Sequence, residues 1–404
     1  MPMIKFKGAL IAATLAGVSF AMPAFAQDTI RVGVTLRMLD EAGQVFGQMI
    51  VDEFDAVNKA GGINGHKIET ILLNDECKPD KGVANVNRFI HQNRVHVIIG
   101  STCSSVTLPL VDITAKEGVS QITPQSSNSS ITGKGSPWIF RPAVAERFSR
   151  GVYAKYAVED VGKKVAVLYT SDGAGSAFAK GLIETMKDTY GLDPVYANQV
   201  QETDVDMRPH LLKIKSLNPD VLAIGGQADS IARILQQSYE VGIPAKVQRV
   251  GSLATGNAST AKLAGDAAKG AVFIGFFIYA DPRPNVQAWV EMMKTKYKLL
   301  KPDHDVSMAW DTAQLVKIAL KNAKLKLTDD ALAEDRAAIR DALANIHDYK
   351  GLAAGTISFC ADPTPQCRDG NRTPVFISYV KGGADYEMKL VKAVTLDIDT
   401  GLKK

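Results

Sequence analysis

Two hydroxyl-rich loops, GSTCSS (Gly100–Ser105) and PQSSNSS (Pro124–Ser130), hold the residues best placed for chemistry in this chain of 404 residues. Neither loop carries a charge, and each follows a short apolar run, VHVIIGS and Val119–Thr123. Ser104 and Ser105 fall where a helical pattern, Ser104–Lys116, begins. The first N–H groups of a helix have no intrahelical acceptor, and the helix dipole is positive there, so such a position attracts an anion. Capping alone places serine at many helix starts. Two such loops after adjacent strands argue for binding as well, with Ser126 and Ser127 in the second loop. Catalysis is not expected. No G-x-S-x-G elbow, H-E-x-x-H pair or P-loop occurs, and Gly173–Phe178 (GAGSAF) lacks the third glycine of a dinucleotide fingerprint. The histidines are dispersed: His66, His91, His96 and His304 read as loop or helix-surface residues without a carboxylate neighbour.

The elements that position these loops alternate. Ile30–Leu36, IETILLN, VHVIIGS and Val119–Thr123 read as strands, with helices at Gly43–Ala60, Pro79–Asn93 and Ser104–Lys116. Such alternation predicts a mainly parallel sheet covered by helices on both faces. The pattern restarts with Val165–Ser171, VYANQV, Asp220–Gly226, VQRVGS and GAVFIGFF. Long helices follow at Val286–Tyr297, Val306–Ala323 and Asp329–Ile346, then strands at Gly355–Phe359 and Val375–Val380. Helices without a sheet of their own must pack on one already built. The expected fold is therefore α/β, two similar lobes with parallel sheets joined by several crossings. One lobe takes 27–144 plus 278–355, and the other 145–277 plus 356–404.

Met1–Ala26 reads as a signal peptide: Lys5 and Lys7, an apolar run from Ala9 to Phe20, then Ala24-Phe25-Ala26. The apolar run is too short to cross about 30 Å of hydrocarbon. The first cysteine is Cys77, so no lipid-attachment cysteine stands at the cleavage point. A periplasmic protein, exported and not lipid-anchored, is expected. Cleavage removes two lysines and leaves 45 basic against 43 acidic residues. That balance, with the charges scattered, disfavours nucleic acid and anionic membrane as partners. The four cysteines favour disulfides in an oxidising compartment. Cys77 and Cys103 each lie just past an apolar run, and Cys360 and Cys367 bracket ADPTPQ, so these two pairs are expected. Zinc is set aside for want of a CxxC pair or a histidine at ligand spacing. No metal or cofactor is expected.

From Ile30 onward the chain resembles the periplasmic branched-chain amino-acid binding proteins, soluble components of ABC importers with the type I periplasmic binding fold. The stretches that carry the likeness are NKAGGINGHKIE (Asn58–Glu69), NDECKP (Asn74–Pro79), IIGSTCSS (Ile98–Ser105), ITPQSSNSSIT (Ile122–Thr132), FRPA (Phe140–Ala143) and TGNAS…AGDAAKG (Thr255–Gly270). The resemblance implies two Rossmann-like lobes joined by a three-crossing hinge near Val144, Phe277 and Gly355 that close on a small ligand, one disulfide matching Cys77–Cys103, an inner-membrane ABC permease as partner, a monomer, and no chemistry performed. A ligand-sensing co-receptor is the other role that this fold serves.

The family's ligand contacts carry over unevenly. Its carboxylate clamp matches Ser104, Ser126 and Ser127, with Ser105 beside it. Its acidic partner for the ligand ammonium falls on Leu253, and its aromatic positions fall on Ala42, Ala174 and Gln227. Arg37 stands in the first loop, where the family usually has small residues. Two ligand classes follow. A small carboxylate without an α-ammonium (a 2-oxo, hydroxy or aromatic acid) is favoured, its body against Leu253 and Ala174 and a second polar group at Arg37 or Gln227. The alternative is an amino acid, with Asp172 supplying the acid unless it is only a turn residue. Arg37 reads equally as a solvated surface charge.

Overall fold

The computed structural model describes residues 29–371, 373 and 375–393; the leader expected at Met1–Ala26 lies outside them. Five parallel strands form the first sheet in the order β2-β1-β3-β4-β5. They are β1 (Thr29–Leu36), β2 (Lys67–Asn74), β3 (Val97–Gly100), β4 (Ser120–Ile122) and β5 (Ile139–Phe140). The intervening helices are α1 (Glu41–Lys59), α2 (Pro79–Asn87), α3 (Ser104–Lys116) and the single turn α4 (Ser130–Gly133). Helix α2 is shorter than the pattern predicts because Arg88–Gln92 continues as a π-helical turn.

The second sheet has the order β12-β11-β10-β9-β8-β6-β7. Its parallel part is β6 (Val165–Thr170), β7 (Tyr196–Val200), β8 (Val221–Gly225), β9 (Gln248–Gly251) and β10 (Val272–Gly275). Helices α5 (Glu146–Lys155), α6 (Gly173–Tyr190), α7 (Arg208–Leu217), α8 (Ala228–Glu240) and α9 (Ala258–Ala264) alternate with those strands. Every residue of β3 and β8 is buried, as parallel strands covered on both faces require. Val32, Val34 and Ile99 bury against Phe46, Phe54 and Val316 in one core, while Leu168, Ile224 and Ile234 lie in another. Among the described residues no helix is long and apolar enough to cross a membrane.

Helices α10 (Pro284–Tyr297), α11 (His304–Asn322) and α12 (Leu332–Ala344) return to the first lobe. Tyr297 Oη donates to Asp52 at 2.8 Å, Gln314 Nε2 to Glu53 at 2.9 Å, and Arg336 Nε to the Val95 carbonyl at 2.9 Å. The chain then departs from expectation. Gly355–Phe359 forms no strand; Ile357 makes only single bridges, to Tyr349 and Asn371. The stretch from Ile357 to Asn371, assigned above to the second lobe, bonds to the first. Arg141 N donates to the Arg368 carbonyl at 2.9 Å, Gly370 N donates to the Arg141 carbonyl at 2.7 Å, and the Phe359 ring stacks edge-on to Phe140 at 5.3 Å. The cause is a fully buried ion pair, Arg141 to Asp369 at 2.7 Å. The chain thus stays bonded to the first lobe as far as Asn371, and Val375 pairs with β10 in the second sheet. Beyond it, β11 (Val375–Lys381) and β12 (Glu387–Ala393) extend the second sheet antiparallel. Both expected disulfides are formed, Cys77–Cys103 and Cys360–Cys367, the latter closing the short helix α13 (Pro365–Arg368).

Removing one partner of a buried ion pair leaves an uncompensated charge and costs about 3–5 kcal/mol. Asp369→Ala should lose that much in urea denaturation, whereas Arg141→Met with Asp369→Leu should lose clearly less.

Candidate functional site

A cavity of about 350 Å³ lies between the lobes, beyond the carboxyl ends of the parallel strands. Ser104, Ser127, Arg37, Ala174, Gln227 and Leu253 all line it, although they come from six separate stretches of the chain. The first lobe's contribution rests on one buried carbonyl. Ser101 O accepts the Thr123 hydroxyl at 2.6 Å and one of two further hydroxyls, Ser126 at 3.0 Å or Thr107 at 3.3 Å. Thr107 and Ser126 also share a hydrogen bond of 2.7 Å. Ser126 is thus spent inside the lobe and does not line the cavity, which separates it from its neighbour Ser127. Ser105 does not line the cavity either. Its amide faces the second lobe, where a Cβ built on Gly173 would lie 3.2 Å from Ser105 N and 3.4 Å from Ser104 Cβ. A side chain at 173 would crowd the starts of α3 and α6, and Asn128 Nδ2 closes the seam by donating to the Gly173 carbonyl at 2.8 Å.

The second lobe's wall comes from its helix starts. Asp172 caps α6, accepting Ala174 N and Gly175 N at 2.9 Å each, and it also accepts the Thr170 hydroxyl. It is therefore the turn residue rather than a replacement acid for a ligand. Ala174 lies in the first turn of α6, Gln227 at the N-cap of α8, and Leu253 in the 3₁₀ turn after β9. Arg37 is not merely a solvated charge. It is three-quarters buried, bonds Asp40 at 2.8 Å and reaches the cavity. Burial lowers its pKa, but Asp40, Asp229 and Asp305 outweigh that and leave it raised.

Several cavity residues escaped the sequence reading, Glu146 above all. It opens α5 directly after the first crossing, is 4% exposed, and has its amide bonded to the Ser127 carbonyl at 2.8 Å. Ser149 donates to its carboxylate at 3.2 Å, and no basic side chain forms an ion pair with it among the described residues. Burial pushes its carboxyl up to about 7, against the weaker lowering by Ser149, Ser127 and Arg141. Glu202, from the loop after β7, is also raised, by burial and by the like charges of Asp172 and Asp229. The signal for Glu146 was its place one turn past FRPA, in a segment read only as a hinge.

His304 corrects another expectation. It is buried, with Nε2 lying 3.1 Å from Asp305 Oδ1, and burial, which lowers its pKa, is outweighed by Asp305 and Asp303. His96 is buried as well and accepts Arg31 N at 2.9 Å through Nδ1. Among the described residues no cluster of histidine, cysteine and acidic side chains could hold a metal ion.

The comparisons accord with this geometry. A family model described as "Periplasmic binding protein" matches residues 30–383. The Leu/Ile/Val-binding protein of Escherichia coli (strain K12) is 27% identical over 313 residues, 76% of this chain and 83% of that protein. A Leucine-, isoleucine-, valine-, threonine-, and alanine-binding protein of Pseudomonas aeruginosa is 29% identical over 263 residues, 64% of this chain and 69% of its own length. Among solved structures, the branched-chain amino acid transporter substrate binding protein LivJ of Streptococcus pneumoniae, in complex with isoleucine, has a TM-score of 0.75 at 25% identity, over 90% of this chain and 99% of that one. An ABC-transporter solute-binding protein of R. palustris in complex with benzoate has a TM-score of 0.74 at 20% identity, over 93% and 100%. Two α/β lobes flanking a polar cavity, with this likeness along nearly the whole described chain, make the chain a member of the periplasmic binding protein family: a solute-binding protein, not an enzyme.

Proposed function

We propose that this protein, exported through Met1–Ala26, works as a periplasmic monomer that binds a small amino acid and hands it to an inner-membrane ABC permease. The relatives named above, which bind branched-chain amino acids, support that reading. The observation that carries the ligand class is the buried carboxyl of Glu146 beside Ser127. In this reading the ligand carboxylate takes the Ser104 and Ser127 hydroxyls and the start of α3. Its ammonium takes Glu146, which replaces the family acid that falls on Leu253. A charged carboxylate in a buried site is costly without a cation, and the ligand supplies one. Arg37 and Gln227 then meet a polar group at the far end of the ligand.

A second reading keeps the carboxylate but removes the ammonium. Leu253 and Ala174 on the second lobe's wall favour it, with Glu146 protonated and donating to the ligand. The fold serves either class, since one neighbour holds isoleucine and another benzoate.

The pH dependence separates the two. Glu146 ordinarily titrates at 4.5 and here at about 7, so its contribution to the stability of the empty protein is complete below 4.5 and is lost as pH rises through 7. An ammonium ligand favours the ionised form. Affinity for an amino acid should therefore climb by up to about tenfold per pH unit until near 7. A plain carboxylate should bind more weakly as Glu146 ionises, and Glu146→Gln should flatten either profile in calorimetric titrations. An affinity indifferent to both pH and Glu146→Gln would remove Glu146 from the site. Ser104→Ala with Ser127→Ala should weaken binding by at least about 100-fold, from about 1.5–3 kcal/mol per charge-assisted hydrogen bond. Ser126→Ala should instead lower the melting temperature and change affinity far less.

A further inference from the structure

Asp303 is a buried carboxylate that acts on both lobes at once. In its own lobe it is the N-cap of α11: Oδ1 accepts Asp305 N at 3.1 Å and Val306 N at 3.3 Å. Its other oxygen leaves the lobe, and Oδ2 accepts Ala258 N, the first residue of α9, at 2.8 Å. Helix α9 has no side-chain cap of its own. Asn257, at its N-cap position, spends its amide on Asp305 at 3.1 Å, again across the lobes. The start of one helix is therefore capped from the opposite lobe. Gly256 allows this approach, since a Cβ there would lie 2.8 Å from the His304 ring.

We infer that Asp303 is a positioning residue for ligand binding: its bond to Ala258 N forms as the lobes close and biases the protein toward the closed form. Asp303 and Asn257 both line the cavity, so their bonds cross the cleft. Opening strips α9 of its cap while α11 keeps its own. The closed form is thus favoured whatever the ligand is, and the effect on affinity is the same factor for every ligand.

Two substitutions remove this bond from opposite sides. Asp303→Asn keeps a good N-cap for α11 but has one acceptor oxygen in place of two. Ala258→Pro deletes the N–H at a position where proline suits a helix start. Each should raise the radius of gyration of the ligand-free protein in small-angle scattering, and the double variant should match the singles, because both delete one bond. With L-leucine, L-glutamine and benzoate as probes, whichever of them bind should lose about five- to tenfold in affinity by a common factor. Unchanged scattering, additive effects of the two substitutions, or a loss that differs among probes would overturn the inference. The inference does not depend on the ligand class: if none of the three probes binds, the amino-acid reading is in difficulty, while the scattering comparison still decides the role of Asp303.

Discussion

Buried polar groups must be paired, and that requirement decides which hydroxyls of the two serine loops remain for a ligand. The Ser101 carbonyl gathers three of them, Thr107, Thr123 and Ser126, two of which bond each other, and so welds the loop after β3 to the loop after β4. Ser104 and Ser127 are left facing the cavity. The Cys77–Cys103 disulfide ties the same corner to the loop after β2. A rigid row of donors results, presented by one lobe before the other arrives. Preorganisation of this kind cuts the entropy lost when a ligand is ordered.

The second lobe brings both charge and apolar wall to the cavity, with Glu202, Asp229 and Arg233 lining it. Its helix starts bring Ala174, Gln227 and Leu253, and Asp172 is consumed as a cap. The acid best placed to balance a ligand ammonium belongs to neither wall. Glu146 stands at the crossing itself, where the chain leaves Arg141 and enters α5. Its amide bond to the Ser127 carbonyl ties it to the first lobe's donors. Ligand recognition by the open form can therefore involve both head groups, with closure adding the far wall.

Much of this was legible in the sequence because it rests on local pattern. Apart from β5 and β12, the strands fall within a residue or two of the apolar runs, and α3 begins and ends where its pattern does. Both disulfides follow from cysteines placed just past strand ends or across a proline turn. What failed was long-range. Nothing local distinguishes Ser126 from Ser127; the difference is an acceptor 25 residues away. The return to the second sheet was placed too early because Ile357–Asn371 is held by an ion pair spanning the chain from Arg141 to Asp369. Strand β12, EMKLVKA, was not read at all. It is an edge strand whose Leu390 and Val391 stay exposed, so its sequence carries no clean alternation. His304 looked unremarkable because its burial depends on Phe276 and Gly256 from the other side of the cleft.

The central claim is that an anionic head group sits on Ser104, Ser127 and the first turn of α3. A crystal structure of the liganded protein tests it most directly. The expected density places a carboxylate within about 3 Å of both hydroxyls, with any ammonium toward Glu146. A ligand whose negative charge lies against Arg37 instead, or one with no anionic group at all, would contradict it.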